Sequence, residues 1–277
     1  MGAIAALAMI VSAGLALGST ASGVEVVAAG DIANTGRGDL RTSDRVLALD
    51  PALVLTLGDN VYPSGTLSQY RTYYAPTWGR FKGRTSPSPG NHDWETAGAA
   101  GYESYFGVQA GRVRSFVVGK WRVVSMDSSV NRSAQRRVLA SVLRGDAHRC
   151  ELLYFHHPRW SSSGYGNDRH VGPWWKTAYA QGVDLILNGH AHQYERFNLK
   201  APSGMHAADG IRQIVVGTGG APTTRFVSIK SGSQKRITGD ANRGVLDLRL
   251  RATSYRWRFI DATSGDVRDS GSTDCHR

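Results

Sequence analysis

Short apolar, β-branched runs recur along the chain, and each ends in Gly, Asp or Asn: Val24 to Ala29 before Gly30 and Asp31, Ala52 to Leu57 before Gly58 and Asp59, and Val183 to Leu187 before Asn188. Runs of this length with turn residues behind them predict buried strands whose carboxyl ends carry polar side chains. Further strands are predicted at Phe116 to Val118, Arg122 to Ser125, Leu152 to Phe155, Ile211 to Val216, Val245 to Leu250 and Tyr255 to Ile260. Between several of them the period becomes helical, over Asp44 to Leu49, Ala134 to Leu143 and Pro173 to Gln181, with Ser133 placed as a cap and Pro173 in a first turn. The first two thirds of the chain thus alternate strand and helix, and the last third is mostly strand. That order predicts an α/β sandwich with mixed sheets and excludes a purely parallel Rossmann sheet.

The amino-terminal stretch breaks this pattern. Ile4 to Leu17 is almost wholly apolar, has no polar helical face, and is too short to cross a bilayer comfortably. With Ser19 and Ala21 as the small residues a signal peptidase inspects, it reads as an export signal over residues 1–21, although no basic residue precedes the apolar run. The competing reading is a buried amino-terminal helix. Residues 22–277 then form one domain of a secreted or extracytoplasmic protein, with no later segment apolar enough to span a membrane. A 277-residue chain that is 41% hydrophobic and 20% charged is not collagen-like, coiled-coil or broadly disordered. Its formal net charge of +11 is spread without a basic tract, which favours small anionic substrates and argues against a nucleic acid partner. Cys150 and Cys275 would stay free thiols in the cytosol; export favours a bridge between them.

Five polar clusters follow strand-like runs: Gly30-Asp31, Gly58-Asp59-Asn60-Val61-Tyr62, Gly90-Asn91-His92-Asp93, His156-His157-Pro158 and Gly189-His190-Ala191-His192. In an open α/β sheet, loops at the carboxyl ends of strands converge on one crevice, however far apart they are in sequence. Taken singly, each residue has a plainer reading. Asp31 or Asp59 could cap a helix, Asn91 could sit in a turn, and Tyr62 could be a packed aromatic. His190 and His192 could be surface histidines on one face of an extended segment. Together the clusters supply carboxylate, amide, imidazole and phenol donors, an oxygen and nitrogen set suited to first-row metals.

From Val24 to His192 these blocks resemble the calcineurin-like metallophosphoesterases, whose ordered signature runs GD, GDxxx, GNH[DE], a lone His, then GHxH. The resemblance implies a four-layer α/β/β/α sandwich with two mixed β-sheets and a binuclear metal centre. The family's second ligand in the first block, a His two residues after the Asp, is replaced here by Ala33, while Tyr62 stands three residues after Asp59. That exchange is similar to the purple acid phosphatase branch, in which a tyrosinate binds ferric iron beside a divalent Fe, Zn or Mn. By that resemblance one metal takes Asp31, Asp59, Tyr62 and His192, and the other takes Asp59, Asn91, His156 and His190, with Asp59 bridging. The paired metals would clamp the phosphate and activate a water for in-line attack, and His92 would stabilise the developing charge.

The family often places a further His about ten residues past the lone His, as general acid. Here Tyr165 stands near that place and the next imidazole is His170, so both are candidates for the acid or for a substrate contact. His157 falls where the family varies; supporting the ligands from behind or simple packing is its expected role, with the acid or a substrate contact as the alternative. The resemblance implies a phosphoric ester hydrolase of acid phosphatase type acting on a small phosphate ester. The alternatives are a phosphodiesterase or nucleotidase on the same core, and a non-catalytic phosphate-binding protein. Trp160, Trp174 and Trp175 could stack on a leaving group or belong to the core.

Overall fold

The computed structural model describes residues 23–276 other than Asp146 and Arg149; the expected export signal at residues 1–21 lies outside them. In chain order the first elements are β1 (Val24–Ala29), α1 (Asp39–Leu49), β2 (Leu53–Leu57), α2 (Leu67–Gln69), β3 (Thr85–Ser88), α3 (Ala100–Phe106), β4 (Arg114–Val118), β5 (Trp121–Ser125) and α4 (Arg132–Leu143). They are followed by β6 (Cys150–Tyr154), α5 (Gly172–Ala180), β7 (Leu185–Asn188), β8 (Tyr194–Lys200), β9 (Ile211–Val216), β10 (Ser233–Ile237), β11 (Gly244–Leu250), β12 (Ser254–Asp261) and β13 (Val267–Asp274).

The strands form two mixed sheets, ordered β13-β12-β11-β1-β2-β3 and β10-β8-β9-β7-β6-β5-β4. The parallel strands β1, β2 and β3 lie together in the first sheet, and β5, β6, β7 and β9 in the second. Side chains in a strand alternate between faces, and here that alternation builds the layers. Val123, Leu152, Leu185 and Ile214 of the second sheet join Val26, Leu55, Leu246 and Leu248 of the first in one core between the sheets. Their neighbours Val124, Leu153, Ile186 and Val215 face the other way, onto α4 and α5. Gln135, Leu139 and Leu143 recur on one face of α4, and Trp174 and Ala178 on one face of α5, so each helix buries a single stripe. With α1 against the first sheet, the layers run α/β/β/α as expected.

Several details differ from the reading of the sequence. Helix α1 starts at Asp39, earlier than its apolar periodicity suggests, because its buried face is largely polar: Asp39, Thr42, Ser43 and Val46. Ser133 lies inside α4, whose N-cap is Asn131 in a left-handed conformation, so Ser133 is not the cap. Strands β3, β8, β10 and β13 and helix α3 add to the predicted set. Trp160, Trp174 and Trp175 are buried in the core beneath α4 and α5 and are not available to stack on a ligand. Among the described residues no helix is long and apolar enough to cross a membrane.

Cys150 and Cys275 form a disulfide with Cα atoms 5.4 Å apart, closing a separation of 125 residues. It links β6 of one sheet to the residue following β13 of the other. On the chain-entropy account such a loop contributes about 5 kcal/mol. Cys275→Ser is therefore expected to lower the urea midpoint markedly, as is reduction of the native protein; an unchanged midpoint in both would contradict this account.

Candidate metal centre

The carboxyl ends of β1, β2 and β3 meet those of β6 and β7 along one edge of the sandwich, and all five polar clusters lie there. Pairing between β1 and β2 continues into their loops. The N–H groups of Asp31, Ile32 and Ala33 donate to the carbonyls of Gly58, Asp59 and Asn60, and the N–H of Tyr62 donates back to Ala33. This ladder sets the two aspartates side by side and brings the tyrosine next to them. Asp31, Asp59 and His190 have φ of 59°, 48° and 67°. A left-handed backbone costs a non-glycine residue roughly 1 kcal/mol or more, and such strain concentrates at functional sites. His190 and His192 therefore lie on a bend after β7, not on an extended segment.

The side chains form two donor sets that share one oxygen. In the first, the Tyr62 hydroxyl lies 3.0 Å from Asp31 Oδ1, 3.1 Å from Asp59 Oδ2 and 3.1 Å from His192 Nε2. His192 Nε2 is 3.2 Å from Asp31 Oδ1. In the second, His156 Nε2 lies 3.2 Å from Asp59 Oδ2 and 3.1 Å from Asn91 Oδ1, and the His190 ring is 5.0 Å from that of His156. Asp59 Oδ2 thus belongs to both sets, while its Oδ1 accepts the N–H of His92 at 2.8 Å. Asp31, Asp59 and His156 are buried; Tyr62, Asn91, His92, His190 and His192 are half-buried around them.

Backbone carbonyls select the imidazole tautomers. His156 Nδ1 meets the Leu57 carbonyl at 2.9 Å and His192 Nδ1 meets that of Pro222 at 2.8 Å. A carbonyl only accepts, so Nδ1 carries the proton, and in the neutral ring Nε2 is left with the free lone pair that a metal ligand requires. His92 Nδ1 meets the Pro63 carbonyl at 2.6 Å, and the His92 ring packs on Tyr62 with centroids 4.4 Å apart. Its Nε2 therefore carries a proton only when the ring is cationic.

Two carboxylates in one buried place call for positive charge. Burial alone would raise the Asp59 carboxyl, but the neighbouring His156 and His92 hold it well below the ordinary range. Burial likewise acts to lower His156, yet Asp59 and then Asp31 push it up to about 9. His190 is pushed down to about 4 by burial and by His156, and His157 down to about 2 by burial, His156 and His190. The Tyr62 phenol is raised well above 10 by burial and by Asp31 and Asp59. The two buried carboxylates thus draw positive charge to a point where cations would meet ready oxygen and nitrogen donors.

The surrounding glycines leave room only for these donors. A β-carbon on Gly58, whose φ is 89°, would lie 2.4 Å from His156 Nδ1, and one on Gly90 would lie 2.2 Å from Asp59 Oδ1. The donor set and its cradle therefore fit a binuclear centre.

All seven expected ligands come together here, with His92 at the mouth. His157 lies beside the ligands: its ring is 4.4 Å from that of His190, and Ser128 Oγ holds its Nδ1 at 2.8 Å. A cavity of about 380 Å³ opens beside His190, lined by His157, Tyr165, Asn167 and His170 among others. Tyr165 is exposed, with its ring 4.7 Å from His190. His170 is exposed at the cavity's outer side.

Other residues at the centre escaped sequence reasoning. Buried Asp93 accepts from the N–H groups of Gly90 and Asn60, from Asn60 Nδ2 and from the Tyr70 hydroxyl, which ties the second and third blocks together. Burial and then Asp59 push Asp93 up to about 6. The signal was its place in the GNHD block, where only its neighbours offered obvious chemistry. Glu195, on β8 and outside every block, gave no signal.

Comparison with known proteins bears on this arrangement. Residues 24–194 match the calcineurin-like phosphoesterase family. A purple acid phosphatase from seeds of yellow lupin (Lupinus luteus) superposes with a TM-score of 0.74 at 20% identity, over 92% of this chain and 54% of its own. GAP50, the anchor in the inner membrane complex of Plasmodium, gives 0.74 at 13% identity over 92% of this chain and 90% of its own. A dimetal phosphatase from Danio rerio gives 0.59 at 11% identity over 92% and 99%. These identities establish likeness of fold, and the chain spans about half the length of the lupin enzyme. No curated protein matches it by sequence.

Proposed function

Because the chain belongs to the calcineurin-like phosphoesterase family, we propose that it hydrolyses phosphate esters with a pair of metal ions, as a phosphomonoesterase of the purple acid phosphatase type. Asp31, Asp59, Tyr62 and His192 would hold one ion; Asp59, Asn91, His156 and His190 would hold the other. The observation that carries this reading is the position of Asp59 Oδ2, 3.1 Å from the Tyr62 hydroxyl and 3.2 Å from His156 Nε2. When bound, the ions would polarise the phosphoryl oxygens and lower the pKa of a water. The protein supplies the rest. The Pro63 carbonyl and the Tyr62 ring fix His92 so that Nε2 can meet a phosphoryl oxygen and, as imidazolium, donate to it. His157, Tyr165 and His170 line the cavity where the alcohol part of the ester would sit.

The Plasmodium anchor has the same fold, so fold alone decides nothing about turnover; the complete donor set is what supports hydrolysis. Export is part of this reading and is supported by the Cys150–Cys275 bridge, since disulfides persist in oxidising compartments.

The test is kinetic profiling of the metal-loaded protein on monoesters, diesters and nucleotides. Monoesters are expected to be the best substrates, and a strong preference for diesters would overturn the phosphomonoesterase assignment. Aryl esters should outrun alkyl esters, because the further His of the family is absent and a phenol with a reference pKa of about 10 is a poor acid near neutrality. If His170 delivers the proton, His170→Ala will slow alkyl esters and spare aryl ones.

The purple branch has its own signature. Ferric iron beside Tyr62 is expected to give a visible charge-transfer band that Tyr62→Phe removes while the fold, read by circular dichroism, is kept. Colour that survives the substitution would remove Tyr62 from the ligand set.

A further inference from the structure

The cavity beside His190 is lined on the side of the donor cluster by His157 and His190, and otherwise by the run from Tyr165 to His170. This run is pinned in place. The Asp168 N–H donates to the Pro158 carbonyl and the Gly166 N–H to the Ser163 carbonyl, each at 3.0 Å. Asn167 Oδ1 accepts the N–H of Ser161 at 3.0 Å, and Asp168 Oδ1 accepts that of His170 at 2.7 Å. At the base of the loop, buried Glu195 accepts the N–H of Ser162 at 2.8 Å and its hydroxyl at 2.5 Å. The wall is therefore formed before a ligand arrives, which spares binding the cost of ordering a loop.

The charges on this wall do not balance. Its one carboxylate, Asp168, is already engaged: besides the His170 N–H it has Arg132 at 4.0 Å from Oδ2. Arg159 lies close by, with its guanidinium 4.1 Å from the centre of the Trp160 ring. Burial and then Arg169 hold Arg159 below the ordinary guanidinium range, and Asp168 offsets them only in part. Three guanidinium groups thus surround one carboxylate. Exposed Arg169 has no hydrogen-bond or ion-pair partner among the described residues. A lone arginine on a surface is ordinary; this one lines a cavity that ends at the donor cluster. Asn167 adds to the imbalance, because its Oδ1 is taken by Ser161 and only its N–H donors remain.

We propose that this wall binds a second anionic group, a carboxylate or a phosphate, carried on the alcohol portion of the ester a few atoms from the reacting phosphate. Arg169 is the specificity-determining residue, since its planar fork of donors matches either oxyanion, and Asn167 Nδ2 supplies a further donor. The proposal rests on the hydrolase reading for the reacting phosphate and adds the charge of the leaving group. A cavity of about 380 Å³ suits a small molecule bearing both groups.

The test titrates phosphonates, which are not hydrolysed, into the metal-loaded protein by calorimetry. Phosphonopropionate is compared with its uncharged carboxamide, which matches it in size, and with ethylene bisphosphonate. At least one of the two doubly anionic probes is expected to bind roughly tenfold more tightly than the amide, as for one charge-assisted contact. A gain for phosphonopropionate makes the second group a carboxylate; a gain for the bisphosphonate alone makes it a phosphate. Arg169→Ala should remove the preference and Arg169→Lys should restore part of it. Arg251→Ala should leave it intact, because exposed Arg251 follows Leu250, which pairs with Val24 at the opposite end of β1 from Asp31. Equal Kd values for all three probes overturn the proposal. So does a preference that survives Arg169→Ala, which would place the second anion on the metals, or one that Arg251→Ala lowers equally, which would reduce it to net charge. Turnover of a chromogenic monoester reports separately on hydrolysis: an Arg169-dependent preference in a protein that turns over no ester keeps the anion subsite and removes the hydrolase reading.

Discussion

Asp59→Ala is expected to abolish turnover, by at least about 10³-fold, and to lower bound metal at both positions together. The reason is the sharing of one atom. Asp59 Oδ2 faces the Tyr62 hydroxyl on one side and His156 Nε2 on the other, so alanine removes a donor from each set. The same change deprives His156 of the carboxylate that chiefly raises it. Removing Asn91 or His192 would subtract from one set only, so those variants should retain metal at the other. Metal content by elemental analysis, measured beside turnover of a chromogenic ester, reads both effects. An Asp59→Ala protein with two metals per chain and near-normal turnover would exclude the assigned centre.

His92→Ala should separate chemistry from metal binding. The hydrogen bond of this residue to the cluster is made by its backbone N–H, which donates to Asp59 Oδ1 and survives the substitution. What alanine removes is the imidazole, held by the Pro63 carbonyl and by Tyr62 with Nε2 at the mouth. Metal content should therefore stay at the wild-type level while kcat falls by on the order of 10²-fold, the usual consequence of losing one donor to developing charge. Loss of metal in this variant would instead move His92 among the ligands.

The parts of the fold legible in the sequence are those whose side chains face a core. Strands β1 and β9 were predicted with the observed bounds because they are continuous buried runs. Of the four missed strands, β3, β10 and β13 are sheet edges, where one side of the ladder is free and apolar alternation is not required, while β8 is an interior strand that mixes apolar Tyr194, Phe197 and Leu199 with charged residues. Strand β3, Thr85–Ser88, even contains Pro87, which an edge tolerates. Strand β13 is polar and largely exposed; its register against β12 and the disulfide beyond it hold it in place.

The same division runs through the site. Ligand-type residues announced themselves because five blocks stand in order at strand ends, and the pairing of Ala33 with the Val61 segment explains how Tyr62 comes to lie beside Asp31 and Asp59. The supports did not announce themselves. The Leu57, Pro63 and Pro222 carbonyls that fix three imidazoles are backbone atoms, which no residue type encodes. Ser128 and Glu195 act through partners distant in sequence, visible only once the strands are placed.

The account stands on two metal ions acting as one centre, and metal titration of the chelated protein tests this most directly. Metal-free protein should be folded and inactive on a chromogenic phosphate ester, and activity should return with added metal and saturate at two ions per chain. Full turnover in the chelated protein, or recovery complete at one ion, would contradict it.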